Sequence, residues 1–559
     1  MLPLRVIEKP QASKTPRAKV QKIESIPAPI GGLNSRDALA SMPPTDAYGL
    51  VNWIPRQYGV ESRKGYSEWA TGMAGSVGSI MSYFSSSTTI PTTTSFQTAP
   101  TSMPGKVFAA TDAKIFDITS QGASPSSPVT LSGSANAGSF SYVNFSNSAG
   151  SWLLACSETD GYYTYDGATW VKVTMGAGAT QVSVGDPTKF CAVALWKRRV
   201  WFVEKSSARV WYLATDSIYG AAASLDLGPL LKTGGSIAYI ANWTIDAGTG
   251  IDDMLVIVSE NGDVIIYKGT DPSSASTFSL VGVWYVGEVP KGRNAFTSYG
   301  GDLLIVSNTG IFPVSYITRG GANILAATSD GNYTSKIQNT FSSDISTTFN
   351  FFGWNVVVVP RENFMLITVP STIANLYVQY VMNTATNMWT QFNGLPMTTV
   401  NVVANWVMFG TSDGRVCLYG VNYTDNNPLS GATGNPIVGQ IQPAFTYFNR
   451  VADISQNKHF LMVRPTFLSS SEPGIAVQMN ADFLPGAPLT TPGVPAPVGY
   501  TWDSGIWDSA IWSGTQSAYK KWIGVEGFGF SGQVSYVTSV TAQTTFIAND
   551  YMIEPGGPM

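Results

Sequence analysis

At 559 residues the chain is longer than one hydrophobic core serves, so two or more domains are expected. Charged residues make up only 12%, against 44% apolar and 12% aromatic, which excludes a disordered chain and disfavours long solvated helices. The net charge of −4 argues against a grip on nucleic-acid phosphates, and a single histidine, His459, excludes a zinc site of several histidines.

Residues 1–27 read as a basic arm. Arg5, Lys9, Lys14, Arg17, Lys19 and Lys22 face only Glu8 and Glu24 through residue 24, a surplus of four positive charges that leaves −8 on the rest of a chain at −4. Pro3, Pro10 and Pro16 and the lack of apolar periodicity predict a segment that orders on a partner, either protein or DNA. No continuous apolar segment of a secretory signal is visible there, and no run in the chain approaches the ~18 residues of a membrane span.

Residues 28–80 contain one hairpin-like pair around Gln57-Tyr-Gly59. From about residue 81 to 428 one pattern then recurs: an apolar strand, a polar turn, and a second strand with aromatics. "VFAATDAKIFDI" (107–118), "LLACSETDGYYTYDG" (153–167), "RRVWFVEKSSARVWYL" (198–213) and "MLVIVSENGDVIIYKG" (254–269) are followed by "LLIVSNTGIFPVS" (303–315), "FMLITVPSTIANLYVQYV" (364–381) and "WVMFGTSDGRVCLYG" (406–420). Asn261-Gly262 and Asp413-Gly414 predict two-residue hairpin turns with both residues at positive φ, and Asp160-Gly161 is similar. The spacing is that of a four-stranded blade, so the expected fold class is all-β, a β-propeller of six or seven blades in which one blade can be closed by strands from both ends, with a long β-sandwich array or a β-solenoid as the alternative.

Residues 429–559 hold further strand runs ("QIQPAFTYF", "HFLMVRPTFL", "GIAVQMNADF", "QVSYVTSV") and are expected to pair with residues 28–80 into a separate β-rich platform. His459, at the start of one of these runs, is a structural residue. Within "TWDSGIWDSAIWSG", Trp502, Trp507 and Trp512 lie five residues apart, which suits neither one face of a strand nor one stripe of a helix. Short extended pieces between tight bends follow, with Trp522 in the same aromatic cluster, packed in the platform or against a neighbouring subunit, or serving as a glycan-stacking surface.

Other motifs carry little chemistry. Cys156, Cys191 and Cys417 sit in strand-like runs and are expected as reduced core thiols, in keeping with folding in a reducing cytosol. Asp246, Asp252 and Asp253 in "DAGTGIDD" lack the EF-hand spacing and form a polar loop. "YDGATW" (165–170) resembles the Asp-box turn of sialidase propellers with one residue missing between Asp166 and Gly167, but the repeat region has few arginines for a carboxylate-binding trio. No catalytic, metal or cofactor site is expected.

The opening "PIGGLNSRDALASMPPTDAYGLVNWIPRQYGVESRKGYSEWATG" resembles the N-terminal signature of tail nozzle proteins (packaged-DNA stabilisation, or tail tubular, proteins) of short-tailed bacteriophages. The resemblance continues through "VWFVEKSSARVWYLATDSIYG", "NWTIDAGTGIDDMLVIVSENGDVIIYKGTDP", "LVGVWYVGEVPKGRNAFTSYGGDLLIVSNTGIFPVS", "YVMNTATNMWTQFNG" and "MFGTSDGRVCLYG". It implies a non-enzymatic virion protein, assembled in the host cytoplasm into a homo-oligomeric ring of about six copies. The ring would extend the channel of the portal and its head-to-tail adaptor, carry tail fibres or spikes, retain the packaged genome, and pass double-stranded DNA without sequence recognition at infection. A receptor- or glycan-binding tail component is the alternative, with a propeller hydrolase behind it.

Overall fold

The computed structural model describes residues 21–88, 99–246, 251–320, 331–371, 377–452, 454–486, 489–495, 499–500, 511–512 and 516–558. Seven small antiparallel sheets follow one another in the chain and close into a ring, so the protein is an all-β propeller. Their innermost strands are Val77–Tyr83, Phe140–Asn147, Phe190–Trp196, Ile237–Asp246, Phe296–Tyr299, Asn355–Val359 and Thr399–Val403, which we number as blades 1 to 7. Blade 5 has three strands, followed by helices Val314–Ile317 and Gln338–Thr348. The longer helix buries Phe341, Ile345 and Thr348, the i, i+4, i+7 stripe of an amphipathic helix, in a Ser/Thr-rich stretch.

Ring closure uses both ends of the repeat. Strand Tyr66–Thr71 pairs antiparallel with Val416–Tyr419 and so completes blade 7. The boundary expected at residue 80 therefore lies before Tyr66. The reason is register: Trp69 and Ala70 are buried against blades 1 and 7, where the ring needs a fourth strand.

Neighbouring inner strands are tied by a recurring device. Asn144 donates to the Ser82 carbonyl at 2.9 Å and Asn242 to that of Leu195 at 2.5 Å. Asn355 donates to Val400 at 3.0 Å and Asn401 to Ile80 at 2.9 Å. Each amide lies on one blade and its acceptor on an adjacent one, so side chains bond between blades where no strand ladder runs.

The hairpin turns differ from expectation in one respect. At Asp160-Gly161, Asn261-Gly262 and Asp413-Gly414 only the glycine has positive φ, at 83°, 92° and 76°. Paired positive φ occurs instead at Lys197-Arg198 (48° and 58°) and Ala404-Asn405 (46° and 66°), each a two-residue link between consecutive strands. Tight register in these hairpins holds non-glycine residues in the left-handed region.

The platform is woven from both chain ends. In its first sheet, Thr544–Pro558 lies between Lys22–Pro27 and Gln456–Ser469, and the latter also pairs with Ser517–Lys520 and Ile523–Gly529. Strands Trp53–Arg56 and Gly59–Ser62 extend it. In the second, Asp46–Val51, Asn435–Pro443, Gly532–Val540 and Gly474–Ala481 pair in that order. Buried Trp53, Phe460, Phe467, Tyr536, Phe546 and Tyr551 fill the core, with Phe467 and Phe546 centred 5.1 Å apart. The second sheet runs on into blade 6 through a parallel bridge from Val51 to Gln391.

Residues 22–27, assigned to the arm by their charge, are thus a platform strand. Its register is unusual: Glu24 points inward, 8% exposed, while Ile23 is 57% exposed. An inward carboxylate on an edge strand discourages pairing with another chain. Burial raises its pKa from 4.5, partly offset by Arg450 and Lys458.

Candidate functional site

The signature segment builds the joint between platform and propeller. Asp46 is buried and its carboxylate accepts from Asn34 and from the Lys336 ammonium, each at 2.8 Å. Lys336 also donates to the Gly31 carbonyl at 2.6 Å, so "GGLN" is fastened to the element that precedes the long helix. Gly32 sits at φ +75°, and a Cβ there would lie 2.6 Å from the Trp389 carbonyl. Further along, Arg63 gathers Asn52, Asn393 and Asp425. These charged groups are spent on each other, which makes this segment a structural joint.

The propeller axis holds a cavity of about 140 Å³ lined by Ser79, Tyr142, Asn294, Asn355, Thr399 and Asn401. Phe140, Phe296 and Val357 also line it, so it is mixed in polarity and uncharged. Beside it Arg293 binds Glu158 through two bonds, at 2.8 and 3.0 Å, and the Ile237 and Ala238 carbonyls. A guanidinium so fully bonded has no donor fork left for a substrate carboxylate. A wider mouth of about 320 Å³ includes Asn136, Phe351 and Tyr377, with Asp112, whose carboxylate accepts the Gly138 amide at 2.8 Å.

A broad concavity lies in the platform, a cleft of about 860 Å³. One wall is Pro465 with Tyr519, Lys520, Lys521, Trp522 and Gly524; the other includes Glu472, Pro473, Ile475 and Pro492. Asp550 accepts two bonds from Arg464, at 2.9 and 2.7 Å, and the guanidinium carbon lies 4.7 Å from the centre of the Trp522 ring. The stack Asp550–Arg464–Trp522 therefore orders the indole before any ligand arrives.

Of the residues singled out in the sequence, Trp522 lies in this cleft. Trp512 belongs to strand Ile511–Trp512, which pairs in parallel with Gly499–Tyr500. Trp502 and Trp507 lie outside the described residues, as do Arg5, Lys9, Lys14, Arg17 and Lys19. Lys22 donates to the Val451 carbonyl at 2.8 Å, a bond within the platform. Arg464, Tyr519, Lys520 and Lys521 were not anticipated. The run "AYKKW" interleaves aromatic and basic residues and could have signalled three of them.

The remaining candidates have structural partners. Asp253 accepts from Thr244 at 2.8 Å and faces Lys197 at 3.5 Å. Asp166 accepts the Ala168 and Thr169 amides, at 2.8 and 2.7 Å, closing a local turn, and these bonds hold its carboxyl below the usual range. His459 stacks on Phe528 with centroids 4.0 Å apart. All three cysteines are free and buried, and burial pushes the Cys191 thiol up to about 12. Among the described residues no group of three or more His, Cys, Asp or Glu could hold a metal ion, and no helix is long and apolar enough to cross a membrane.

Fold and site together define a class: a seven-bladed propeller fused to a two-sheet platform that bears an aromatic cleft. No protein-family model matches the chain, and no curated protein matches it. Among solved structures it is similar to an exo-β-1,3-galactanase from Phanerochaete chrysosporium with galactose, at 9% identity and a TM-score of 0.23, covering 74% of this chain and 95% of that one. It is also similar to YCF48 bound to a D1 peptide, at 9% identity and a TM-score of 0.35, covering 68% and 99%. Neither likeness carries the relative's ligand to this chain.

Proposed function

We propose that the chain is a structural virion protein, the tail nozzle of a short-tailed bacteriophage. In this role it forms a homo-oligomeric ring beneath the portal and adaptor, retains packaged DNA, and lets it leave at infection. The observation that carries the reading is the use made of the signature segment. Residues 31–63 brace platform against propeller through buried ion pairs and a continuous sheet, as a stiff load-bearing subunit requires.

One surface suits contact between copies. The outer strand of blade 4, Phe278–Tyr285, is eight residues long and uncharged, with Leu280, Val281 and Tyr285 exposed. The outer strands of blades 1 to 3 have only two to four residues. A long apolar edge of this kind pairs with another chain or is covered by one.

Quantitative mass spectrometry of purified virions tests the role. About one copy for every two portal subunits is expected. Absence from the particle overturns it. Val281→Lys should weaken ring formation by the purified chain, read by light scattering, and unchanged assembly would remove blade 4 from the interface.

A further inference from the structure

We propose that the platform cleft at Trp522 binds an anionic saccharide, a sugar chain bearing carboxylate or phosphate groups. This goes beyond the nozzle assignment and concerns the isolated chain, so either can fail without the other.

Five observations converge on it. The cleft, about 860 Å³, is of the size that takes a small-molecule or oligomer segment. Trp522 and Tyr519 supply flat faces with a polar edge, as sugar rings require, and Trp522 is already ordered by Arg464. The Arg464 charge is matched by Asp550, whereas Lys520 and Lys521 have no ion-pair partner among the described residues and remain available to an anion. Glu472 lines the opposite wall, where its carboxylate can accept from sugar hydroxyls.

The fifth observation is the pair of glycines in the lining. Gly524 has no left-handed φ, and a Cβ built there meets nothing within 4 Å. Neither its own backbone nor packing in this subunit demands glycine at that position. Gly493, in the facing segment, is in the same situation. Side chains at these positions would narrow the cleft, and their absence keeps it open.

A cleft that sets two lysines beside a carboxylate favours a saccharide over single-stranded nucleic acid, which is usually held by a positive groove that follows the strand. The rest of the chain is also net acidic.

The test is calorimetry of the full chain with oligogalacturonate, maltoheptaose and oligothymidylate, at low and high salt. Saturable binding of oligogalacturonate is expected, weakening with salt and at least about tenfold tighter than maltoheptaose. Gly524→Leu, whose Cβ would meet nothing within 4 Å, narrows the cleft and should lower affinity by about tenfold or more, as should Trp522→Ala and the pair Lys520→Gln and Lys521→Gln. Gly524→Leu serves as the control for folding if Trp522→Ala disturbs the platform. Unchanged binding by Gly524→Leu, equal binding of the neutral oligomer, tighter binding of oligothymidylate, or no saturable binding would each overturn the proposal.

Discussion

Arg63 and Asp425, 362 residues apart, form a two-pronged ion pair, with Nη1 and Nη2 at 2.7 and 2.6 Å from the two carboxylate oxygens. Arg63 is 1% exposed and also donates to Asn52 and to the Lys64 and Asn393 carbonyls. One guanidinium thus ties the platform entry, the end of blade 6 and the exit from blade 7. Asp425→Asn leaves a buried cation uncompensated and should cost about 3–5 kcal/mol, read by urea unfolding. Replacing both partners with apolar residues should recover part of that loss; a cost below about 1 kcal/mol for Asp425→Asn would show that the pair is not holding the joint.

The inter-blade asparagines can be tested one at a time. Asn401 donates to the Ile80 carbonyl, across the seam where blade 7 meets blade 1, and to the Tyr142 hydroxyl of blade 2 at 2.6 Å. Asn401→Ala should cost about 1–3 kcal/mol and speed amide exchange along Val77–Tyr83. Exchange that stays as slow as in the parent would contradict a role in closure.

Ala404 sits at φ 46° in a tight hairpin link, where glycine avoids the steric penalty. Ala404→Gly should stabilise by up to about 1 kcal/mol. Gly414→Ala should act in the opposite sense, because φ is +76° and its Cβ would fall against the Met73 carbonyl. Thermal melts of the two variants should move in opposite directions.

Asp344 accepts the Tyr380 hydroxyl at 2.7 Å, and burial raises its pKa above the ordinary 3.8, partly offset by that bond. The folded protein therefore favours the protonated acid. Its stabilising contribution is complete below 3.8 and lost as pH rises through the folded value. Asp344→Asn keeps an acceptor for Tyr380 and removes the titration. It should raise the melting temperature near about pH 7 and leave it unchanged near about pH 3. A variant equally stabilised at both pH values would point to packing instead.

Much of this protein is local in origin, and the sequence by itself determined that part. Alternating apolar and small polar residues, with Asp-Gly and Asn-Gly between them, encode hairpins, and seven successive copies encode blades. Three cysteines inside apolar strands are buried because their neighbours are. What joins distant segments needed the tertiary structure. That Tyr66–Thr71 closes blade 7 depends on which edge lacks a partner once the ring has formed. The inward turn of Glu24 follows from pairing with Thr544–Pro558, since a one-residue shift exchanges the two faces of a strand. Trp522 could be singled out in the sequence as an aromatic candidate. Its setting could not, because Arg464 and Asp550 meet it only after three platform strands are laid side by side.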